Sequence, residues 1–353
     1  MQKINETIKN IGLLDAAAME RAQERLDSLT KPQGSLGRLE ELAKQLVGIT
    51  GKERPESKNK VIFTLAADHG IAEEGVSAFP QEVTEQMVYN FLAGGAGINV
   101  LARHAGARVV IVDMGVKKKL KVKSEKLKVK KIDLGTKNFL KEKAMTREQA
   151  IRGIEAGIEV FEEEFRQGVD VAGTGEMGIA NTTSASAITA AFTGAKVEEI
   201  TGRGTGIDNS SLARKVKVIE QALKLHRPDP KDALDVLSKV GGFEIAGLSG
   251  IILAAAARRI PVVVDGFISG AAALIAYHLE PKTKDYMIAA HCSVEKGHRI
   301  ILEHIGIKPL LDLNLRLGEG TGAALAMTIL DASLKIFTEM ASFKDAGVSE
   351  EKK

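Results

Sequence analysis

A single carboxylate stands between two glycines in Gly318-Glu319-Gly320, where an apolar run (Leu310, Leu311, Leu313, Leu315) gives way to an Ala-rich helical pattern. Flanking glycines remove the Cβ atoms that would hold a ligand away and open backbone angles closed to other residues. A carboxylate in such a turn can face a small molecule while the N–H groups beside it face an anion. A lone Gly-Glu-Gly is equally an ordinary strand–helix turn with a solvated side chain. The other turns of the chain decide between the two.

Gly173-Thr-Gly-Glu-Met-Gly178, followed by Asn181-Thr-Thr-Ser184, is a glycine-rich loop opening a helix, and it adds a second carboxylate, Glu176. Free N–H groups at such a helix start suit a phosphate. The loop is not a P-loop, since no Gly-Lys-Ser/Thr follows, and it lacks the downstream acid of a dinucleotide fingerprint. Thr201-Gly-Arg-Gly-Thr-Gly-Ile-Asp208 reads as another anion-holding loop, with Lys215 about two helical turns beyond. Asp265-Gly266 and Ser293 lie at further strand ends, where backbone N–H groups point outward. His69 and His291 sit at strand ends too and could be ligands or bases, but Asp-His-Gly and His-Cys there read more often as hydrogen-bonded structural groups, and so distant a pair makes no metal motif.

No G-x-S-x-G elbow is present, which disfavours a serine hydrolase. The residues point to a phosphate-bearing small-molecule site with two carboxylates and no nucleophilic Ser or Cys. Asp68, Asp113 and Asp265 leave magnesium-dependent phosphoryl transfer open. Substitution at a sugar carbon, assisted by a carboxylate base, fits equally well.

These turns need a frame. Runs at Val61–Ala67, Arg108–Val112, Val169–Ala172, Pro261–Val264, Tyr286–Ala290 and Leu313–Leu317 read as six strands, each ending in one of the polar or glycine signatures. Helical patterns lie between them: Val83–Arg103, Thr146–Gln167, Asn181–Phe192, Ser210–Leu225, Glu244–Arg259 and Val294–His304, with Asn181 and Ser269 as helix openers. Strand–helix alternation with apolar strands predicts an α/β fold, a mostly parallel Rossmann-like sheet covered by helices on both faces. Ligands bind such sheets outside the carboxyl ends of the strands, so the signatures share one rim. The terminal segments are helical and lack strand partners. We expect a large α/β domain over residues 28–305 and a small helical domain built from 1–27 plus 306–353, with a frayed polar end after Phe343.

Composition narrows the partners. Aromatics make up only 4% of the chain, with no Trp, which argues against a stacking platform for single-stranded nucleic acid. Much of the net charge of +3 comes from lysines between Lys117 and Lys131, alternating with Leu120, Val122, Leu127 and Val129. That pattern predicts an exposed hairpin with a solvated lysine face, guarding a sheet edge. Cys292 is the lone cysteine, so neither an intramolecular disulfide nor a multi-cysteine metal site is available. The most apolar stretch, Ile251–Ala276, is interrupted by Arg258, Arg259, Pro261 and Asp265 and does not read as a membrane span. With no leader pattern at the start, a cytoplasmic protein is expected.

Taken in order, Thr30-Lys-Pro-Gln-Gly-Ser-Leu-Gly-Arg-Leu39, Ala67-Asp-His-Gly70, Gly173 to Thr183, Gly202-Arg-Gly-Thr-Gly206, Val264-Asp-Gly-Phe-Ile-Ser-Gly270, His291 with Ser293, and Leu313 to Ala323 closely resemble the nicotinate-nucleotide–dimethylbenzimidazole phosphoribosyltransferase family. The resemblance runs from near residue 12 to about residue 340, departs at Lys117–Lys131, and recovers at Gly135-Thr136, Asn138 and Ala144-Met-Thr-Arg147. It implies transfer of phosphoribose from nicotinate mononucleotide to 5,6-dimethylbenzimidazole, for the lower ligand of cobalamin. It implies Glu319 as general base, with Glu176 and Lys215 as supporting catalytic groups. Phosphate contacts would fall around Gly178, Gly204, Gly266 and Ser293, with Arg203 a further substrate-binding residue. The aromatic base would lie against Phe79, Pro80, Gln86, Met177 and Leu317, with Gly318 and Gly320 admitting it. The family further implies a homodimer, small-molecule substrates, no metal and no cofactor, and no nucleic-acid or membrane partner. A phosphoribosyltransferase for another aromatic base, or a non-catalytic nucleotide-binding protein that keeps the loops, shares these features.

Overall fold

The computed structural model describes residues 1–122 and 124–349. Six strands form one wholly parallel sheet: β1 (Lys60–Ala67), β2 (Ala107–Gly115), β3 (Leu127–Val129), β4 (Val171–Met177), β5 (Val262–Val264) and β6 (Met287–Ala289). Their spatial order is β3-β2-β1-β4-β5-β6. The order reverses between β1 and β4, and a doubly wound sheet opens a crevice at the carboxyl ends beside such a reversal.

β1 shows how the sequence dictates two covered faces. Every one of its residues is buried. Val61, Phe63, Leu65 and Ala67 pack into the core with the Arg147–Phe165, Phe243–Ala257 and Phe267–Leu279 helices. Ile62 and Ala66 alternate onto the opposite face, against Leu42, Leu46, Val88, Phe91, Ile98 and the alanines of the Thr321–Glu339 helix. A parallel strand buried on both faces has no polar side to alternate with, so after Lys60 it appears in the sequence as an apolar run interrupted by Thr64 alone.

The Thr321–Glu339 helix is long and apolar enough for a membrane span, yet Ala323, Ala324, Met327 and Leu330 are fully buried against the sheet. At the termini, the Gln2–Lys9 helix packs on the Arg147–Phe165 and Phe243–Ala257 helices. Ala18, Ala22 and Leu26 instead form a separate cluster with Ala43, Val47 and Phe337. Ser342 caps a short Phe343–Ala346 helix, and residues 350–353, the last of the expected frayed end, lie outside the described residues.

Several local expectations are corrected. The Leu313–Leu317 run is not a strand. The sheet ends at β6, a single bridge joins His291 to Leu311, and Asn314 then adopts a left-handed φ of 55°. Leu315 and Leu317 line the cleft instead, and Leu313 and Leu317 are more than half exposed. The sixth strand is β3, inside the lysine run, pairing parallel to β2 as an edge rather than folding into a hairpin. Nor are its lysines merely solvated: Lys128 pairs with Glu163 and Glu164, and Lys130 with Glu159 and Glu163, all on the Arg147–Phe165 helix. Acids four residues apart share one helix face, a periodicity that separate readings of strand and helix do not connect. Lys123, part of the same run, lies outside the described residues.

The Val83–Arg103 pattern is two helices, Glu82–Ala93 and Gly97–Ala105, separated where Gly94 turns left-handed. Neither expected opener caps a helix. The Asn181 amide turns back to Glu176, and Ser269 is buried within the Phe267–Leu279 helix, its hydroxyl without a partner.

Candidate active site

A cleft of about 630 Å³ opens at the carboxyl ends of β4, β5 and β6. Its lining includes Phe79, Glu176, Met177, Gly178, Gly204, Gly266, Ser293, Leu317, Gly318 and Glu319, all expected from the sequence. One wall is apolar, with Phe79, Val83, Met87, Met177, Leu315 and Leu317; the other is polar, with Asn181, Thr182, Gly204, Thr205, Ser293 and Glu295.

Glu319 is held by its backbone and its carboxylate together. Gly318, Glu319 and Gly320 have φ values of 82°, 64° and 99°, three successive residues in the left-handed region. Glycine takes that region freely, but glutamate does so at a cost of order 1 kcal/mol, which the surroundings must offset. They do so at three points. The Thr64 hydroxyl donates to the Glu319 carbonyl at 3.0 Å. The Ile98 N–H, in the first turn of the Gly97–Ala105 helix, donates to Glu319 Oε2 at 3.0 Å. The Asp265 carboxylate accepts the N–H groups of Gly320 at 3.2 Å and Ala323 at 2.9 Å, capping the Thr321–Glu339 helix and pinning the end of the loop.

The loop lies directly on β4, and a Cβ added to Gly175 would stand 2.2 Å from the Glu319 carbonyl oxygen. Gly175→Ala should therefore displace Glu319 and reduce turnover at least tenfold, since small misplacement of a reacting group is costly. Steady-state rates alongside circular dichroism would separate that result from unfolding.

The two carboxylates are neighbours. A Cβ on Gly318 would lie 2.2 Å from Glu176 Oε1, and the Asn181 amide donates to Glu176 Oε2. Burial pushes Glu176 up to about 8, and the nearby Glu244, Asp265 and Glu319 add to the rise. Burial likewise raises Asp265 to about 7, against the pull of the N–H groups it accepts. Glu319 is also raised by burial, partly offset by Ile98 N–H. Perturbed acids facing a cleft are a signature of functional sites.

The remaining expected residues stand elsewhere. Lys215 is fully buried and meets the cleft wall at Thr182, its Nζ donating to Thr182 Oγ1 at 2.7 Å; burial lowers it to about 8. The Arg203 guanidinium turns into its own loop, donating to Ile207 O and Asn209. Gln86 and Pro80 are exposed and outside the cleft lining, and Gly320 sits beneath the loop against β1 and β4. His69 is a buried structural group between Ser184 Oγ (3.0 Å) and Glu244 Oε1 (2.7 Å). His291 departs from the structural reading: it lines the cleft and its Nδ1 has no partner.

Sequence reasoning did not assign Asn181, Thr182, Val83, Met87 or Glu295 to the cleft, and held His291 only as the less favoured ligand or base. Asn181 lies five positions beyond Glu176 and Glu295 two beyond Ser293, so proximity to the recognised motifs was the available signal.

The fold and site define a class: a doubly wound parallel-sheet protein whose cleft sets a carboxylate among apolar residues and a polar lining that includes Gly178, Gly204, Gly266 and Ser293. Comparison makes this specific. A phosphoribosyltransferase family model (DBI_PRT) matches residues 11–348. A nicotinate-nucleotide–dimethylbenzimidazole phosphoribosyltransferase from Chloroflexus aggregans is 59% identical over 352 residues, covering 100% of this chain and 99% of the relative. One of the same name from Geobacter metallireducens is 60% identical over 348 residues, covering 99% and 98%. The crystal structure of CobT from Thermus thermophilus superposes with a TM-score of 0.91 at 44% identity, covering 95% of this chain and 100% of that one. The chain belongs to the nicotinate-nucleotide–dimethylbenzimidazole phosphoribosyltransferase family.

Proposed function

We propose that this protein transfers phosphoribose from nicotinate mononucleotide to 5,6-dimethylbenzimidazole, giving α-ribazole 5′-phosphate and nicotinate for the lower ligand of cobalamin. The observation that carries this reading is the placement of Glu319. Its carboxylate is anchored through one oxygen to Ile98 N–H, with Leu317 and Met177 on the apolar side and the glycine loops on the other.

In this reading the flat base lies along Phe79, Met177 and Leu317. One ring nitrogen attacks C1′ of the ribose while the other N–H gives its proton to Glu319. A positioned base of this kind contributes about 10²–10⁴-fold. Raised by burial, the carboxylate is a better proton acceptor than a solvated one. Nicotinate leaves as a neutral pyridine ring and needs no acid. Attack from the face opposite the leaving group converts a β linkage to an α linkage without a covalent enzyme intermediate. Gly178, Gly204, Gly266 and Ser293 supply the phosphate rim. Glu176, kept protonated at neutral pH by burial, releases its proton to solvent water as positive charge arrives beside it, and the carboxylate then stabilises the oxocarbenium-like sugar electrostatically. Lys215 acts on the phosphate side through Thr182. The protein works as a homodimer in the cytoplasm, with the terminal helices forming a smaller helical unit beside the sheet domain.

The test is a base-competition assay: the protein, nicotinate mononucleotide and an equimolar mixture of benzimidazoles and purines, with products resolved by mass. α-Ribazole phosphate should dominate. Its lead over the base lacking both methyl groups should be modest, since a methyl in an apolar pocket is worth about 1–3 kcal/mol and Phe79 and Leu317 are more than half exposed. Tight nucleotide binding with no product from any base would favour the non-catalytic reading instead.

A further inference from the structure

Glu295 takes no part in the proposed chemistry. It precedes the Lys296–Ile305 helix, two residues after Ser293, and is only 6% exposed. Its Oε1 accepts the N–H of Gly204 at 2.9 Å, while its Oε2 is buried without a hydrogen-bond partner. The carboxylate presses on the loop so closely that a Cβ on Gly202 would lie 2.2 Å from Oε2. On the other side of that loop, Lys215 Nζ comes within 3.3 Å of where a Cβ on Gly204 would stand, but its hydrogen bond goes to Thr182. A loop suited to an anion therefore already holds one, and that anion keeps an unsatisfied buried oxygen. Leaving such an atom unpaired is costly, so the arrangement is primed for exchange.

We infer that Glu295 is an internal stand-in for the ligand's phosphate, seated on the Gly204 N–H in the free protein and displaced from it when a phosphate-bearing ligand binds. This rests on the reading that the phosphate is held around Gly204 and Ser293. The carboxylate competes for one donor and, once displaced, remains a like charge beside the phosphate in a poorly solvated site. It keeps the loop ordered in the free protein and keeps phosphate-bearing substrate and product from binding too tightly. A ligand without a phosphate does not enter the contest.

The experiment measures equilibrium binding of inorganic phosphate, nicotinate mononucleotide and its dephosphorylated riboside to the wild type and to Glu295→Gln. Glutamine keeps an acceptor for Gly204 N–H and removes the charge. The variant should bind inorganic phosphate and the mononucleotide about tenfold more tightly, with riboside affinity unchanged and the KM for the mononucleotide lowered. Unchanged phosphate affinity overturns the inference, as does equal weakening of mononucleotide and riboside, which a purely structural role or a ribose contact would produce. A wild type that binds riboside as tightly as mononucleotide overturns the phosphate-site reading itself. A null result confined to Glu295→Gln leaves that reading standing.

Discussion

Replacing Glu319 by glutamine is expected to slow turnover by about 10²–10⁴-fold while changing the affinity for nicotinate mononucleotide by less than about threefold. The split follows from geometry. Glutamine has the same shape and keeps an oxygen for the Ile98 N–H, so the loop pinned by Thr64 and Asp265 stays in place. What disappears is the second oxygen's capacity to take a proton from the attacking ring. Phosphate and ribose contacts do not involve this group in the proposed complex, so ground-state binding survives. Single-turnover rates and calorimetric binding, measured on the same preparation, check both halves. Near wild-type turnover would remove Glu319 from the role of base.

Glu176→Gln should move stability and activity in opposite directions. Glu176, Asp265 and Glu319 are three buried acids; burial raises each of them, Asp265 and Glu319 add to the rise at Glu176, and a charged Glu176 is disfavoured in the folded state. Its folded value of about 8 lies above the ordinary 4.5. Between those values the folded protein holds a proton that the unfolded chain has released, so stability falls as pH rises from about 4.5 to about 8 and is level beyond. Glutamine is neutral at every pH and does not suffer this loss. The variant should therefore be more stable than wild type by of order 3 kcal/mol at pH 9, shrinking to less than about 1 kcal/mol at pH 5. Denaturant unfolding at the two pH values would show it. The same substitution should lower turnover at least tenfold, because a neutral amide stabilises a cationic sugar less than a carboxylate does. A variant that is more stable at pH 9 and less active is what a strained functional acid produces; an equal loss of stability at both pH values would point to packing alone.

The two kinds of residue in this site differ in how they can be found. Glu319, Glu176 and the glycines around them are local: their neighbours in sequence create the turn, the close approach and the N–H rim. They are legible in the chain alone, and the order of the motifs carries the family resemblance. The largely apolar run of β1 is equally plain, because a strand buried on both faces has no polar side.

Other features depend on partners far away in the chain. Asp265 reads as a rim residue, but it caps a helix beginning more than fifty positions later and thereby sets the Glu319 loop. Glu295 is marked in the chain only by its nearness to Ser293; its meaning comes from Gly204, far back in the sequence. Lys128 and Lys130 read as solvated, because the acidic face of the Arg147–Phe165 helix that meets this sheet edge lies some thirty positions on. The Leu313–Leu317 run reads as a strand because its leucines alternate, yet Leu315 and Leu317 line a cleft, not a sheet.

The sequence by itself thus determined the fold class, the family and the central carboxylate, since those rest on covalent neighbours and local backbone freedom. Strand order, the pinning of Glu319, the raised acids and the anion already seated on Gly204 were decided by the tertiary structure. Hydrogen bonds and desolvation act through space, and their partners are chosen only when the chain is folded.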